Sequence, residues 1–226
     1  MPSLDSNRPL GYSRRRAEAR ERVATKPWDS RLANLLVRPL RHTRVHPNHL
    51  TTLGLLLGLT GAGLLASGHA SAMHLGAFIF VLSAIVDHAD GELARMTGKT
   101  SAFGHFYDRA ADLVVKLATF IGLGFGVRAR YGVLGPVMGL VAGSALVAIF
   151  TMRSRLAQRH GPSALEQPAA GGFEIEDILY AIAPVTWAGV AGPFVVAAAV
   201  GAPVFALWVA RGFHADPTPL GARDTR

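Results

Sequence analysis

The chain has 226 residues, half of them hydrophobic, and a formal net charge of +8. Its apolar residues run in long blocks rather than the stripes of a soluble core, which points to a membrane protein. No aromatic-interleaved basic motif accompanies the charge, so nucleic acid is excluded as a partner and attraction to anionic lipid accounts for it; the absence of Cys excludes thiol catalysis and disulfides.

Residues 1–27 are rich in Arg, Ser, Pro and Glu and can bury little, so they read as a flexible basic cytoplasmic arm with a short helix around residues 14–23. About 45 mostly polar residues before the first apolar run do not make a signal peptide. Over residues 28–40, Leu32, Leu35, Leu36 and Leu40 recur at helical spacing opposite Arg31, Asn34, Arg38 and Arg41. That pattern predicts an amphipathic helix lying on the cytoplasmic leaflet, ended or bent by Pro39.

Six apolar blocks follow, at residues 49–67, 72–89, 104–127, 131–152, 175–190 and 194–209. Most approach the roughly 20 residues that a helix needs to cross the hydrocarbon. The expected fold is therefore all-α and polytopic, with six transmembrane helices in a domain spanning residues 28–212 and a tail at 213–226. Gly54, Gly58, Gly61 and Gly63 in the first block suit close helix packing. Pro184 is expected to kink the fifth span, and Gly192 with Pro193 to turn the chain into the sixth.

Eleven of the 23 Lys and Arg residues precede His46, and the segments after the second and fourth blocks carry Lys99, Arg153, Arg155 and Arg159. By the positive-inside rule these segments, with both termini, are cytoplasmic. Arg128 and Arg130 after the third block are a mild exception.

Four carboxylates stand where the second and third blocks meet. Asp87 and Asp90 are three apart and Asp108 and Asp112 four apart, so each pair shares a helix face, and an eight-residue loop at 96–103 would bring the pairs together as an antiparallel hairpin. Four unpaired acids at a helix centre would cost about 10 kcal/mol on insertion scales, so they call for cations. A set of carboxylates alone suits two Mg²⁺ or Mn²⁺ ions rather than zinc. Around them, Gly91, Ala94 and Gly104 remove bulk where a ligand comes close, and Arg95 offers a bidentate fork to a diphosphate. Metals, an Arg and small residues together describe a site for phosphoryl transfer.

The run Asp87, two residues, Asp90-Gly91, two residues, Ala94-Arg95, eight residues, Gly104, three residues, Asp108, three residues, Asp112 resembles the signature of the CDP-alcohol phosphotransferases at every fixed position. The resemblance extends over about residues 28–212. It implies an enzyme of phospholipid biosynthesis that moves a phosphatidyl or phospho-alcohol group from a CDP-linked donor to an alcohol acceptor and releases CMP. It also implies that Asp87, Asp90, Asp108 and Asp112 hold two metals, with Asp112 as general base, and that Arg95 holds the diphosphate. Gly91, Ala94 and Gly104 would admit the nucleotide, as would Asn48 and Thr51 in Pro47-Asn48-His49-Leu50-Thr51, although Pro-Asn is also an ordinary helix start. The family further implies a homodimer, and the Arg- and Ala-rich composition fits a bacterial inner membrane with the active site on the cytoplasmic face.

The acceptor is less constrained. Arg153 and Arg155 resemble the Arg-containing end of span four in members that accept phosphorylated polyols, yet Arg also snorkels at a membrane interface. Where those members carry a Glu-Arg pair, this chain has Glu174, Glu176 and Asp177; Glu174 and Asp177 share a face, suiting a cationic or polyhydroxyl acceptor or a helix cap. His88 and His105 read as pocket walls. CDP-diacylglycerol is the simplest donor, a soluble CDP-alcohol donating to a lipid hydroxyl is the alternative, and a divalent-cation transporter is the rival of another class. The rival places acids near the bilayer midplane and has no use for Arg95.

Overall fold

The computed structural model describes residues 28–160 and 179–215, and all regular structure among them is helical. Helix α1 (Trp28–Val37) runs into a 3₁₀ turn (Arg38–His42) and is followed by α2 (Pro47–Ala66), α3 (Ala70–Thr97) and α4 (Ala102–Gly126). A single turn, α5 (Arg128–Tyr131), leads into α6 (Leu134–His160), and α7 (Ile182–Trp187) and α8 (Ala191–Ala215) complete the order.

Among the described residues, four helices are long and apolar enough to cross a membrane: α2, α3, residues Leu134–Leu156 of α6 and residues Ala191–Arg211 of α8. Two of the six expected spans are thus not among them. Helix α4 has the length, 25 residues, but carries four charged residues, Asp108, Arg109, Asp112 and Lys116, between positions 108 and 116. The fifth block is described only from residue 179, where a 3₁₀ turn precedes the six-residue α7.

Local chemistry explains most boundaries. Pro39 lies in the 3₁₀ turn that replaces the end of the expected 28–40 helix, because its ring removes a donor and crowds the preceding turn. Helix α2 starts at Pro47, and the His46 ring accepts from the Asn48 amide at 3.3 Å. Helix α3 runs to Thr97 and stops at Gly98, whose φ of 68° only glycine adopts at no cost. Helix α4 begins at Ala102, capped by the Ser101 hydroxyl, which accepts from the Gly104 amide at 2.9 Å. The hairpin connection is therefore residues 98–101, half the expected length, since Met96 and Thr97 extend one helix while Ala102 and Phe103 open the next. The turn into α8 is likewise not at Gly192-Pro193. Gly189, with φ 72°, makes it, while Pro193 sits in the first turn of α8, where its missing amide hydrogen costs nothing.

Helix α2 packs against α3 and α4, α4 against α6, and α6 against α8. One apolar core joins them, with Leu65, Phe80, Leu123, Leu146, Ile182 and Val195 among its members. The closest approaches are made through glycine. A Cβ on Gly61 would lie 2.9 Å from the Gly76 carbonyl oxygen, and one on Gly58 would lie 2.5 Å from the Val115 methyls, so α2 sinks into the groove between α3 and α4. Outside, Leu56, Phe78, Leu140, Val200 and Leu207 are exposed, as lipid-facing residues must be. Helix α1 is apolar on two faces: Ala33 and Val37 bury against Ala89 and Leu93 of α3, while Leu32, Leu35 and Leu36 stay exposed.

Candidate active site

The α3–α4 hairpin brings all four expected acids to one end of the helix pair. Oxygens of Asp87, Asp90 and Asp108 all lie within 4.8 Å of one another. Three hard oxygen donors at that separation fit a hard divalent cation such as Mg²⁺ or Mn²⁺, and neither His nor Cys belongs to the group. Asp90 is buried, and the Thr51 hydroxyl donates to its Oδ2, tying the start of α2 to the cluster. Asp112, one turn along α4 from Asp108, instead forms an ion pair with Lys116.

The acids divide two cavities. Asp90 and Asp108 line the first, of about 130 Å³, together with Asn48, Thr51, Gly91, Ala94, Arg95 and Gly104. Every residue that the sequence suggests for the nucleotide and diphosphate therefore meets at one hollow. The absence of bulk is physical here, since a Cβ on Gly104 would lie 3.3 Å from the Asn48 side-chain oxygen. Lys99 and Ser101 also line this cavity. They sit in the hairpin turn, where no spacing rule marks them.

Asp87 and Asp112 line the second cavity, also of about 130 Å³, with Lys116, His88, Phe150 and Tyr180. It lies deeper in the bundle, between α2, α3, α4, α6 and the 3₁₀ turn before α7. Its apolar members Leu55, Phe80, Val115 and Leu179 surround those few polar groups. His88 Nδ1 lies 2.9 Å from the Ala84 carbonyl, which orients the ring along the cavity wall.

Two buried ionisable residues also escape the sequence reading. Lys116 is 9% exposed and Glu92 4%. Glu92 occupies a position that the motif spacing leaves open, yet its carboxylate accepts from Asn34 of α1 at 3.3 Å and pairs with Arg95 at 3.2 Å. It holds the guanidinium over Gly91, at the mouth of the first cavity. Only the burial of Glu92 on the α1 side distinguishes it from a solvent-facing helical acid.

The proposed acceptor residues are not gathered in the same way. Arg153 and Arg155 lie near the end of α6, where neither lines either cavity. Between them, Ser154 accepts a hydrogen bond from Arg109 of α4. Glu174 and Asp177 lie outside the described residues.

With the hairpin, the acid cluster and the two cavities in place, comparison with known proteins is decisive. The family model for CDP-alcohol phosphatidyltransferase matches residues 44–211. The chain belongs to this family. A bifunctional IPC transferase and DIPP synthase from Rubrobacter xylanophilus is 33% identical over 124 residues, 55% of this chain and 28% of that protein. An archaetidylinositol phosphate synthase from Pyrococcus horikoshii is 32% identical over 113 residues, 50% of this chain and 57% of that one. The chain thus spans only about a quarter to somewhat over half of the length of these relatives. Among solved structures, phosphatidylinositol phosphate synthase from Mycobacterium tuberculosis shares the fold. With CDP-DAG bound it gives a TM-score of 0.57 at 23% identity, over 87% of this chain and 98% of that one. In complex with manganese and citrate it gives 0.58 at 24%, over 86% and 93%.

Proposed function

We propose that this member of the CDP-alcohol phosphatidyltransferase family transfers a phosphatidyl or phospho-alcohol group from a CDP-linked donor, most simply CDP-diacylglycerol, to a small alcohol, releasing CMP. The observation that carries the reading is the row of acids standing between two cavities, one lined by the small residues and Arg95, the other by Asp112. Supporting it, a protein of the same fold has been seen with CDP-DAG, and the Helicobacter pylori CDP-diacylglycerol–serine O-phosphatidyltransferase is 28% identical over 58% of this chain.

In this reading Asn48, Thr51, Gly91, Ala94 and Gly104 admit the nucleotide, and Arg95 holds the diphosphate with two N–H donors. The acceptor hydroxyl enters the second cavity beside Asp112. Asp112 takes its proton as the alcohol oxygen bonds to the phosphorus of the transferred group, and the bond from that phosphorus to the CMP oxygen breaks, CMP leaving with the electron pair. Two divalent ions, Mg²⁺ or Mn²⁺, held by Asp87, Asp90, Asp108 and Asp112, would neutralise charge on the diphosphate and the departing CMP. Arg153, Arg155, Glu174 and Asp177 are candidates for the far end of the acceptor. Six spans, a homodimer and a bacterial inner membrane with the site facing the cytoplasm complete the reading.

The test is CMP release from CDP-diacylglycerol by purified protein with Mg²⁺ or Mn²⁺, scanned over serine, inositol phosphate, glycerol phosphate, ethanolamine, choline and free polyols. Acceptor-dependent release that falls at least about 100-fold in Asp112→Asn supports the reading, that being the low end for loss of a general base. Release only from a soluble CDP-alcohol with a lipid hydroxyl would reverse donor and acceptor. No release with either donor class would overturn it.

A further inference from the structure

Helix α4 places Asp108, Asp112 and Lys116 at successive four-residue steps along one face. The first of these acids joins Asp87 and Asp90 in the cluster of mutually close oxygens, and the second does not. Asp112 is turned one step deeper, into an ion pair with Lys116. Lys116 is buried and its ammonium lies 4.5 Å from the centre of the Phe150 ring, so it has an anion and a π face as neighbours. A buried ammonium within a membrane domain is costly without such partners, and both are supplied.

We infer that Lys116 is an internal counter-cation that competes with a divalent ion for the Asp112 carboxylate. By holding Asp112 out of the Asp87, Asp90 and Asp108 group, it makes the two ion positions unequal. The three-acid position binds tightly. The position that needs Asp112 binds weakly, because an ion must displace a positive charge already in place. Lys116 is thus a positioning residue that acts through Asp112, leaving the carboxylate available to an acceptor hydroxyl in the second cavity. The inference rests on the two-ion reading above.

Titration of the full-length, detergent-solubilised protein with Mn²⁺, following the spin-resonance signal of the free ion, tests it without reference to turnover. The wild type is expected to show two affinities at least tenfold apart. Lys116→Met should tighten the weaker site at least tenfold and leave the tighter one within threefold, and Lys116→Arg should keep the wild-type pattern. Lys116→Gln, which retains a polar end, carries the same expectation if the Met variant does not fold. Two wild-type affinities that do not respond to loss of the charge, or equal tightening of both sites, overturn the inference while the metal reading stands. A wild type that binds no Mn²⁺ strikes at the metal reading itself and removes the inference with it.

Discussion

Arg95 is largely exposed, and an exposed guanidinium on a flexible stem would be a poor clamp for a diphosphate without something to aim it. Glu92 aims it, and Asn34 in turn holds Glu92 from helix α1. Glu92→Gln keeps the shape and removes the charge, so KM for the CDP-linked donor should rise up to about tenfold with kcat little changed, an effect of roughly 1 kcal/mol for a partly solvated pair. Steady-state CMP release at varied donor concentration separates the two. Thr51→Val, of similar volume, leaves the buried Asp90 carboxylate without its hydroxyl donor. It should cost about 1–3 kcal/mol, read as a lower unfolding temperature without divalent ions, with the deficit shrinking when Mn²⁺ is added. The positions of the four acids, Gly91, Ala94, Gly104 and Arg95 are legible from sequence because their spacing is fixed within one hairpin. Glu92 and Lys116 are not, because a charged residue at helical spacing reads the same whether it meets water or a partner from another helix.

At the scale of elements, the seating of α2 against the hairpin depends on backbone contact at glycine. A Cβ on Gly122 would stand 2.3 Å from the Ala62 carbonyl oxygen, so Gly122→Ala must push α4 away from α2. The expected penalty is about 1–3 kcal/mol, with a matching loss of donor binding, because Thr51 and Asn48 ride on α2. Gly63→Ala is the control: a Cβ there meets nothing within 4 Å, and helix propensity favours Ala by up to about 1 kcal/mol. Thermal unfolding in detergent should lower the first variant and leave the second unchanged or raised. Apolar blocks reveal the long helices, but not their ends. Helix α3 outruns its apolar block to Thr97, because Asp90 and Glu92 beyond that block find partners in Thr51, Asn34 and Arg95 without leaving the helix. The 98–101 turn is shorter than composition suggests for the same reason.

For the whole molecule, α3 sets the depth of the site. Its 28 residues make a rod of about 42 Å against a hydrocarbon core of about 30 Å, so one end must stand in the headgroup region. The acidic end, from Asp87, is the one that can, which puts the acid cluster near the boundary between hydrocarbon and water. The chain holds no native Cys, so single substitutions report on sidedness cleanly. Lys99→Cys in the hairpin turn should react with an impermeant maleimide only from the cytoplasmic side, and His69→Cys, at the other end of α3, only from the opposite side. Labelling of both from one side would contradict the orientation. The two cavities also differ in when the ribosome can finish them. Everything that lines the first cavity has been made by Asp108, whereas the second waits for Phe150, Leu179 and Tyr180. A nascent chain therefore possesses the cluster of Asp87, Asp90 and Asp108 and the hollow proposed for the nucleotide well before it can enclose the cavity proposed for the acceptor, so variation in the later helices can redraw the second compartment without disturbing the first.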